Sequence, residues 1–162
     1  MKIDRDSTQT IINPAIGKHS ATVILMHGLG DSADGWEDSA ESLAKTMPHV
    51  KFILPTASEM PVTLNGGYKM NAWYDITSLS SDRAAENCEG IEKSCQRIRG
   101  IIESEIALGI SNTRIGLAGF SQGGAMSIFC GLQLPAELKP AGLLVMSGKL
   151  RITMKSLCPI LC

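Results

Sequence analysis

Apolar residues gather in four short runs: Ala21–Met26 (ATVILM), Val50–Leu54 (VKFIL), Arg114–Phe120 (RIGLAGF) and Ala141–Ser147 (AGLLVMS). Three of the four lack polar alternation, the pattern of strands covered on both faces in a parallel sheet. Between the runs the apolar period becomes helical. Trp36, Ala40, Leu43, Ala44 and Met47 share one helix face, and Asp34 with Glu37 reads as a capping box at its start. A second stripe, Cys88, Ile91, Cys95, Ile98, Ile102 and Ile106, has spacings of 3, 4, 3, 4 and 4, which makes one clean apolar face. A third covers Ala125, Met126, Ile128, Phe129 and Leu132, with Pro135 stopping it.

Strands and helices in this alternation predict an α/β fold: a mostly parallel sheet with right-handed crossovers and helices on both faces. Gln9–Ile12 is expected to add an early edge strand. The segment Pro55–Ser81 has no sustained period and holds Pro55, Pro61, Gly66, Gly67, Trp73 and Tyr74. A connection of this length carries function or folds over a site.

At 162 residues the chain fits one domain. Lys and Arg number 15 against 16 Asp and Glu, a net charge of −1, which excludes nucleic-acid binding through a basic surface. No apolar run approaches the length of about 18 residues that a membrane span needs, and Met1–Asp6 holds no apolar stretch of a secretory signal. The expected address is therefore cytoplasmic. The five cysteines include no CxxC pair, so no metal site is expected. Cys88 and Cys95 would lie about 10.5 Å apart along a helix, too far for a disulfide. The cysteines read as small apolar core residues in a reducing compartment.

The stretch Gly119-Phe120-Ser121-Gln122-Gly123-Gly124 is G-x-S-x-G at the end of a strand run and the start of a helical one. Flanking glycines let the backbone crowd into a sharp turn that projects the serine hydroxyl above the sheet. The following helix aims its N-terminal N–H groups at the same place, favouring developing negative charge. A second element agrees with it. His27-Gly28-Leu29-Gly30-Asp31 follows the strand Ala21–Met26. Acyl transfer needs two amides to hold a tetrahedral oxyanion; Gln122, after the nucleophile, supplies one, and Leu29, between glycines, is the best candidate for the other. His27 sits at the strand end and is read as a brace of the turn rather than a base. His19 and His49 precede strands, at the sheet end away from any site, and are read as surface residues.

HGLGDSADGW, then PTAS…MPVTLNGGYKMNAWYDI, then RIGLAGFSQGGAMS closely resembles the acyl-protein thioesterase and lysophospholipase-like carboxylesterase family of α/β-hydrolases, over about residues 10 to 148. The resemblance implies Ser121 as nucleophile, the Leu29 and Gln122 amides as oxyanion hole, and no cofactor. It implies hydrolysis of fatty-acyl thioesters on S-acylated (palmitoylated) proteins, and of related esters such as lysophospholipids. Transient contact with a membrane surface, and a nuclear as well as a cytoplasmic location, go with it. Pro55–Tyr74 corresponds to the region bordering the acyl groove. Trp73 is then a candidate wall of that groove, or else a buried packing residue; Leu64 and Met70, with Met60, are candidate acyl contacts.

After Ser147-Gly148 the family continues with an aromatic residue and then Leu-Pro, whereas here the chain reads Lys149-Leu150-Arg151-Ile152 and ends at Cys162. Residues 1–148 are therefore expected to form the N-terminal part of a single α/β-hydrolase domain, without its C-terminal strands and helices, and 149–162 a divergent, poorly ordered tail. Triad order in this fold is Ser, then Asp or Glu, then His. After Ser121 come one acidic residue, Glu137, and no histidine. Losing the triad histidine costs a factor of about 2 × 10⁶ in turnover, while an intact oxyanion hole leaves about 10³–10⁴ over water. The chain as written is expected to be nearly inactive, with its last strand left as an edge. Two other readings stay open: a non-catalytic form that binds acyl chains or a partner, and a lysophospholipase or general carboxylesterase.

Overall fold

A computed structural model describes residues 2–14, 17, 19–78 and 88–148; the predicted tail, 149–162, lies outside them. The described residues form β1 (Lys2–Arg5), β2 (Gln9–Asn13), β3 (Ala21–Met26), α1 (Asp34–Thr46), β4 (Val50–Pro55), β5 (Glu59–Val62), β6 (Tyr68–Asn71), α2 (Ile91–Ala107), β7 (Ile115–Phe120), α3 (Gln122–Gln133) and β8 (Gly142–Met146). Six strands make one sheet in the order β1-β2-β4-β3-β7-β8. β4, β3, β7 and β8 run parallel, and β1 and β2 are antiparallel additions at one edge. β5 and β6 form a separate hairpin, inside the segment read from sequence as an aperiodic connection.

β3 and β7 lack polar alternation because both faces are covered, whereas β8, with the same pattern, is mostly exposed. Ile24, Met26, Ile53 and Leu117 face a core built with Ile91, Ile98 and Ile102 of α2 and Ala125, Met126 and Phe129 of α3. Their neighbours Leu25, Phe52, Leu54 and Ala118 face the other way, against Ala40 and Ala44 of α1. The predicted helix stripes largely coincide with these buried faces, but Leu43 and Leu132, placed in them, are exposed, and Cys88 precedes α2.

Three local expectations fail. β2, expected as an edge strand, is paired on both sides, with β1 taking the edge. The helix N-cap is Ala33, with no side-chain cap. Glu37 does not turn back to a cap; its carboxylate pairs with Arg5 of β1, an opposite charge that a short-range pattern cannot reveal. His19 is half-buried rather than a surface residue: its Nε2 lies 3.0 Å from Thr22 Oγ1 and 3.5 Å from the buried Glu105 carboxylate. His49 is exposed, as expected. Among the described residues β8 pairs with β7 alone, and its Leu143 and Leu144 are 40% and 59% exposed.

Candidate active site

The site is assembled where β3 and β7 end. These strands are neighbours in register, Met26 opposite Gly119, so the loop after β3 and the turn after β7 emerge side by side. Ser121 occupies that turn with φ 51° and ψ −113°, left-handed backbone that non-glycine residues rarely adopt. Its own N–H donates to Met146 O of β8 (2.8 Å), and its carbonyl accepts from Ala125 N (3.1 Å). Gly119 and Gly123 make the bend feasible. A Cβ on Gly119 would overlap the Gly123 carbonyl, and one on Gly123 would overlap the Met26 carbonyl. The side chain of Ser121 is half-buried and reaches the surface.

The loop Gly28–Asp31 packs directly on this bend. A Cβ placed on Gly28 would stand 3.6 Å from Ser121 Cβ. The loop is held by its ends: Gly30 N donates to Asn71 O (2.8 Å), Asn71 Nδ2 to Asp31 O (2.9 Å), and Ala33 N to Thr56 Oγ1 (3.0 Å). Among the described residues no hydrogen bond takes up the Leu29 amide. The Gln122 amide belongs to the first turn of α3, whose N–H groups have no intrahelical acceptor. Among the described residues the amides of Leu29 and Gln122, on the two segments that meet at Ser121, thus donate to no protein acceptor.

His27 is fully engaged elsewhere. It is 1% exposed; its Nε2 accepts from Ala57 N (2.9 Å) and its Nδ1 lies 2.6 Å from Gly28 O. A backbone N–H can only donate, so Nε2 is unprotonated and Nδ1 carries the hydrogen. Burial pushes the imidazole below the ordinary histidine range, against the pull of the Gly28 carbonyl. A ring with both nitrogens occupied braces the loop and cannot take a proton from Ser121.

Trp73 is buried to 1%. Its Nε1 donates to His27 O (2.9 Å) and its backbone N to Gln122 Oε1 (2.8 Å); Gln122 Nε2 in turn donates to Tyr74 O (2.7 Å). Ser94 of α2 donates to Trp73 O (2.6 Å). The Gln122 side chain therefore clamps the 73–74 segment, a role that sequence reasoning missed. Its partners lie 49 and 48 positions away, beyond any local pattern; a polar residue inside an otherwise apolar helix start was the one available signal. Leu64, Met60 and Met70 are half-buried. Met60 and Met70 oppose each other in the β5–β6 hairpin, and a Cβ on Gly30 would stand 3.7 Å from Met70 Sδ, so Met70 borders the Leu29 loop. Among the described residues no group of three or more His, Cys, Asp or Glu could hold a metal ion.

An elbow serine beside two open amides, over a mostly parallel sheet with helices on both faces, defines the α/β-hydrolase class. The phospholipase/carboxylesterase family matches residues 7–157, and the chain belongs to that family. It is 45% identical over 145 residues to acyl-protein thioesterase 1 of Schizosaccharomyces pombe, covering 90% of this chain and 62% of that protein. It is 41% identical over 151 residues to acyl-protein thioesterase 1 of Neurospora crassa, covering 90% and 61%. Among solved structures, Zea mays acyl-protein thioesterase 2 superposes with a TM-score of 0.67 at 35% identity, over 76% of this chain and 50% of that one. Arabidopsis thaliana SOBER1 superposes with 0.75 at 28% identity, over 84% and 65%. The chain spans about three fifths of the length of these thioesterase relatives. No helix among the described residues is long and apolar enough to cross a membrane.

Proposed function

We propose that Ser121 is the nucleophile of a serine hydrolase acting on fatty-acyl thioesters of S-acylated proteins, with the Leu29 and Gln122 amides as its oxyanion hole. The observation that carries this reading is the left-handed bend at Ser121 set against a loop whose amide is open. The Ser121 hydroxyl adds to the thioester carbonyl, the C–S bond breaks, and the substrate cysteine leaves with the proton as a thiol. Water then cleaves the acyl-enzyme to a fatty acid and restores the hydroxyl. The names of the thioesterase relatives support the thioester; the family description, phospholipase and carboxylesterase, supports oxygen esters as further substrates. The half-buried side chains of Leu64 and Met70, with Met60, are the acyl contacts in this reading, and Trp73 backs the groove from beneath.

The base is the missing part. His27 is occupied on both nitrogens, and His19 and His49 stand before β3 and β4, at the far end of the sheet from Ser121. Glu137 is exposed in the turn that leads into β8, at that same far end. These 162 residues thus carry nucleophile and oxyanion hole without a histidine beside them, and turnover is expected to be slow. A fluorophosphonate probe on the full-length form, followed by peptide mapping, tests the assignment. Ser121 should carry the label, and Ser121→Ala should lose it; labelling that survives the substitution refutes the nucleophile.

The histidine positions also favour a second reading, a form that captures acyl chains without cleaving them. Equilibrium dialysis with a non-hydrolysable acylated peptide separates the two. Saturable binding without turnover supports capture, and the absence of saturable binding ends it.

A further inference from the structure

The direction of the Leu29 amide is set by the peptide planes around it, and one residue outside the loop holds two of them. The Gly28–Leu29 plane is fixed by its carbonyl, which accepts from His27 Nδ1 (2.6 Å) and from Asp31 N (3.3 Å). In a trans peptide the N–H points opposite to the carbonyl, so the Leu29 N–H leads away from the His27 ring. The Leu29–Gly30 plane is fixed by Gly30 N, which donates to Asn71 O (2.8 Å). The Asp31–Ser32 plane is fixed by Asp31 O, which accepts from Asn71 Nδ2 (2.9 Å). Asn71 therefore grips the loop twice, once with its backbone and once with its side chain.

Asn71 is also the last residue of β6. It stands opposite Glu59 in the hairpin, one step from the opposed pair Met60 and Met70, and Ala72 N closes the base of the hairpin on Ser58 O (3.2 Å). Met70 is half-buried, and its Sδ would stand 3.7 Å from a Cβ on Gly30. The strand that carries the proposed acyl contact thus ends in the residue that holds the oxyanion loop.

We infer that Asn71 is a positioning residue that couples the acyl seat on the β5–β6 hairpin to the Leu29 amide. The inference rests on the Ser121 reading above and adds to it a source of chain-length specificity. A long acyl chain packs on Met70 and steadies the hairpin, and Asn71 passes that order to the peptide planes on either side of the loop. A short chain leaves Met70 untouched and gains nothing there. The Leu29 N–H acts on charge that develops in the transition state, so chain length should govern the reaction step as well as binding.

The test measures phosphonylation of Ser121 in the full-length form by two fluorophosphonates, one with a hexadecyl chain and one with an ethyl group. The saturation constant KI is resolved from the maximal rate kinact. In the parent protein the long-chain probe should show the higher kinact. Asn71→Ala and Asn71→Asp should both remove that difference, lowering the long-chain kinact by about tenfold while KI stays within about twofold. Asn71→Asp keeps the shape of the side chain but has no N–H to donate, so it separates the hydrogen bond from packing, and it decides alone should Asn71→Ala fail to fold. Equal kinact for the two probes in the parent, a variant that keeps the parent's difference, or a loss confined to KI would overturn the inference. A parent that takes no label on Ser121 overturns the nucleophile reading instead, and the inference with it.

Discussion

At the start of β3 the buried polar groups gather round an ion pair, Lys51 with Glu105; at its end no ion pair is found among the described residues. Thr22 Oγ1 donates to Glu105 Oε2 (2.6 Å), Lys51 Nζ pairs with Glu105 Oε1 (2.7 Å), and His19 completes the group. That cluster joins side chains of β3, β4 and α2. The other joins side chains to backbone: His27 to Ala57, Gln122 to Trp73 and Tyr74, Trp73 to His27. The contrast follows from what each end must hold. Regular strands already pair their own backbone, so the lower cluster only fastens elements to one another. The segments around Ser121 have no ladder, and buried peptide groups there must find side-chain partners. Damage should therefore appear as lost stability at one end and as a disturbed site at the other.

The largest stability effect is expected from Glu105→Ala. It leaves Lys51 and Thr22 without their buried partner and should cost about 3–5 kcal/mol in urea unfolding, while folded molecules still label at Ser121. Labelling that fell in step with stability would erase the contrast. Next comes Gln122→Ala, which removes the bonds from Trp73 N and to Tyr74 O and should cost about 2–3 kcal/mol. Here fluorophosphonate labelling of the folded protein should slow as well. Trp73→Phe keeps an aromatic side chain but removes the bond to His27 O; about 1–2 kcal/mol is expected for that bond, read as a shift in denaturation midpoint.

The smallest effect is a pH dependence shared by the two ends. His27 and His19 are both held below the ordinary histidine value, with burial the first cause in each. The unfolded chain then takes up protons that the folded chain refuses. Stability should be complete above about pH 6.5 and decline as pH falls below it. Thermal melts between about pH 8 and about pH 5 should show that decline, and His27→Gln should reduce its slope. A slope unchanged by this substitution would assign the whole effect to the lower end.

The alternation of apolar runs and helical stripes carried most of the fold, because a strand buried on both faces leaves an unbroken hydrophobic mark. β3, β4, β7 and the faces of α1, α2 and α3 were legible for that reason. β1, with the sequence KIDR, was not: an exposed edge strand needs no apolar pattern. The β5–β6 hairpin escaped because Pro61 and the paired methionines obscure a period of two. Of the site, Ser121 and the Leu29 loop could be read locally, since glycines at fixed offsets mark sharp bends. The clamp by Gln122, the Asn71 brace and the burial of His19 depend on contacts between distant parts of the chain, which no window of sequence contains.

The left-handed bend at Ser121 has one more consequence. A serine forced into that region costs of order 1–3 kcal/mol, and glycine would occupy it without penalty. Ser121→Gly should therefore melt higher than the parent protein, while Ser121→Ala, which keeps a Cβ, should not. Durability and reactivity pull against each other at a single atom: the mildest repair of the backbone would produce a sturdier molecule with nothing left to attack a carbonyl.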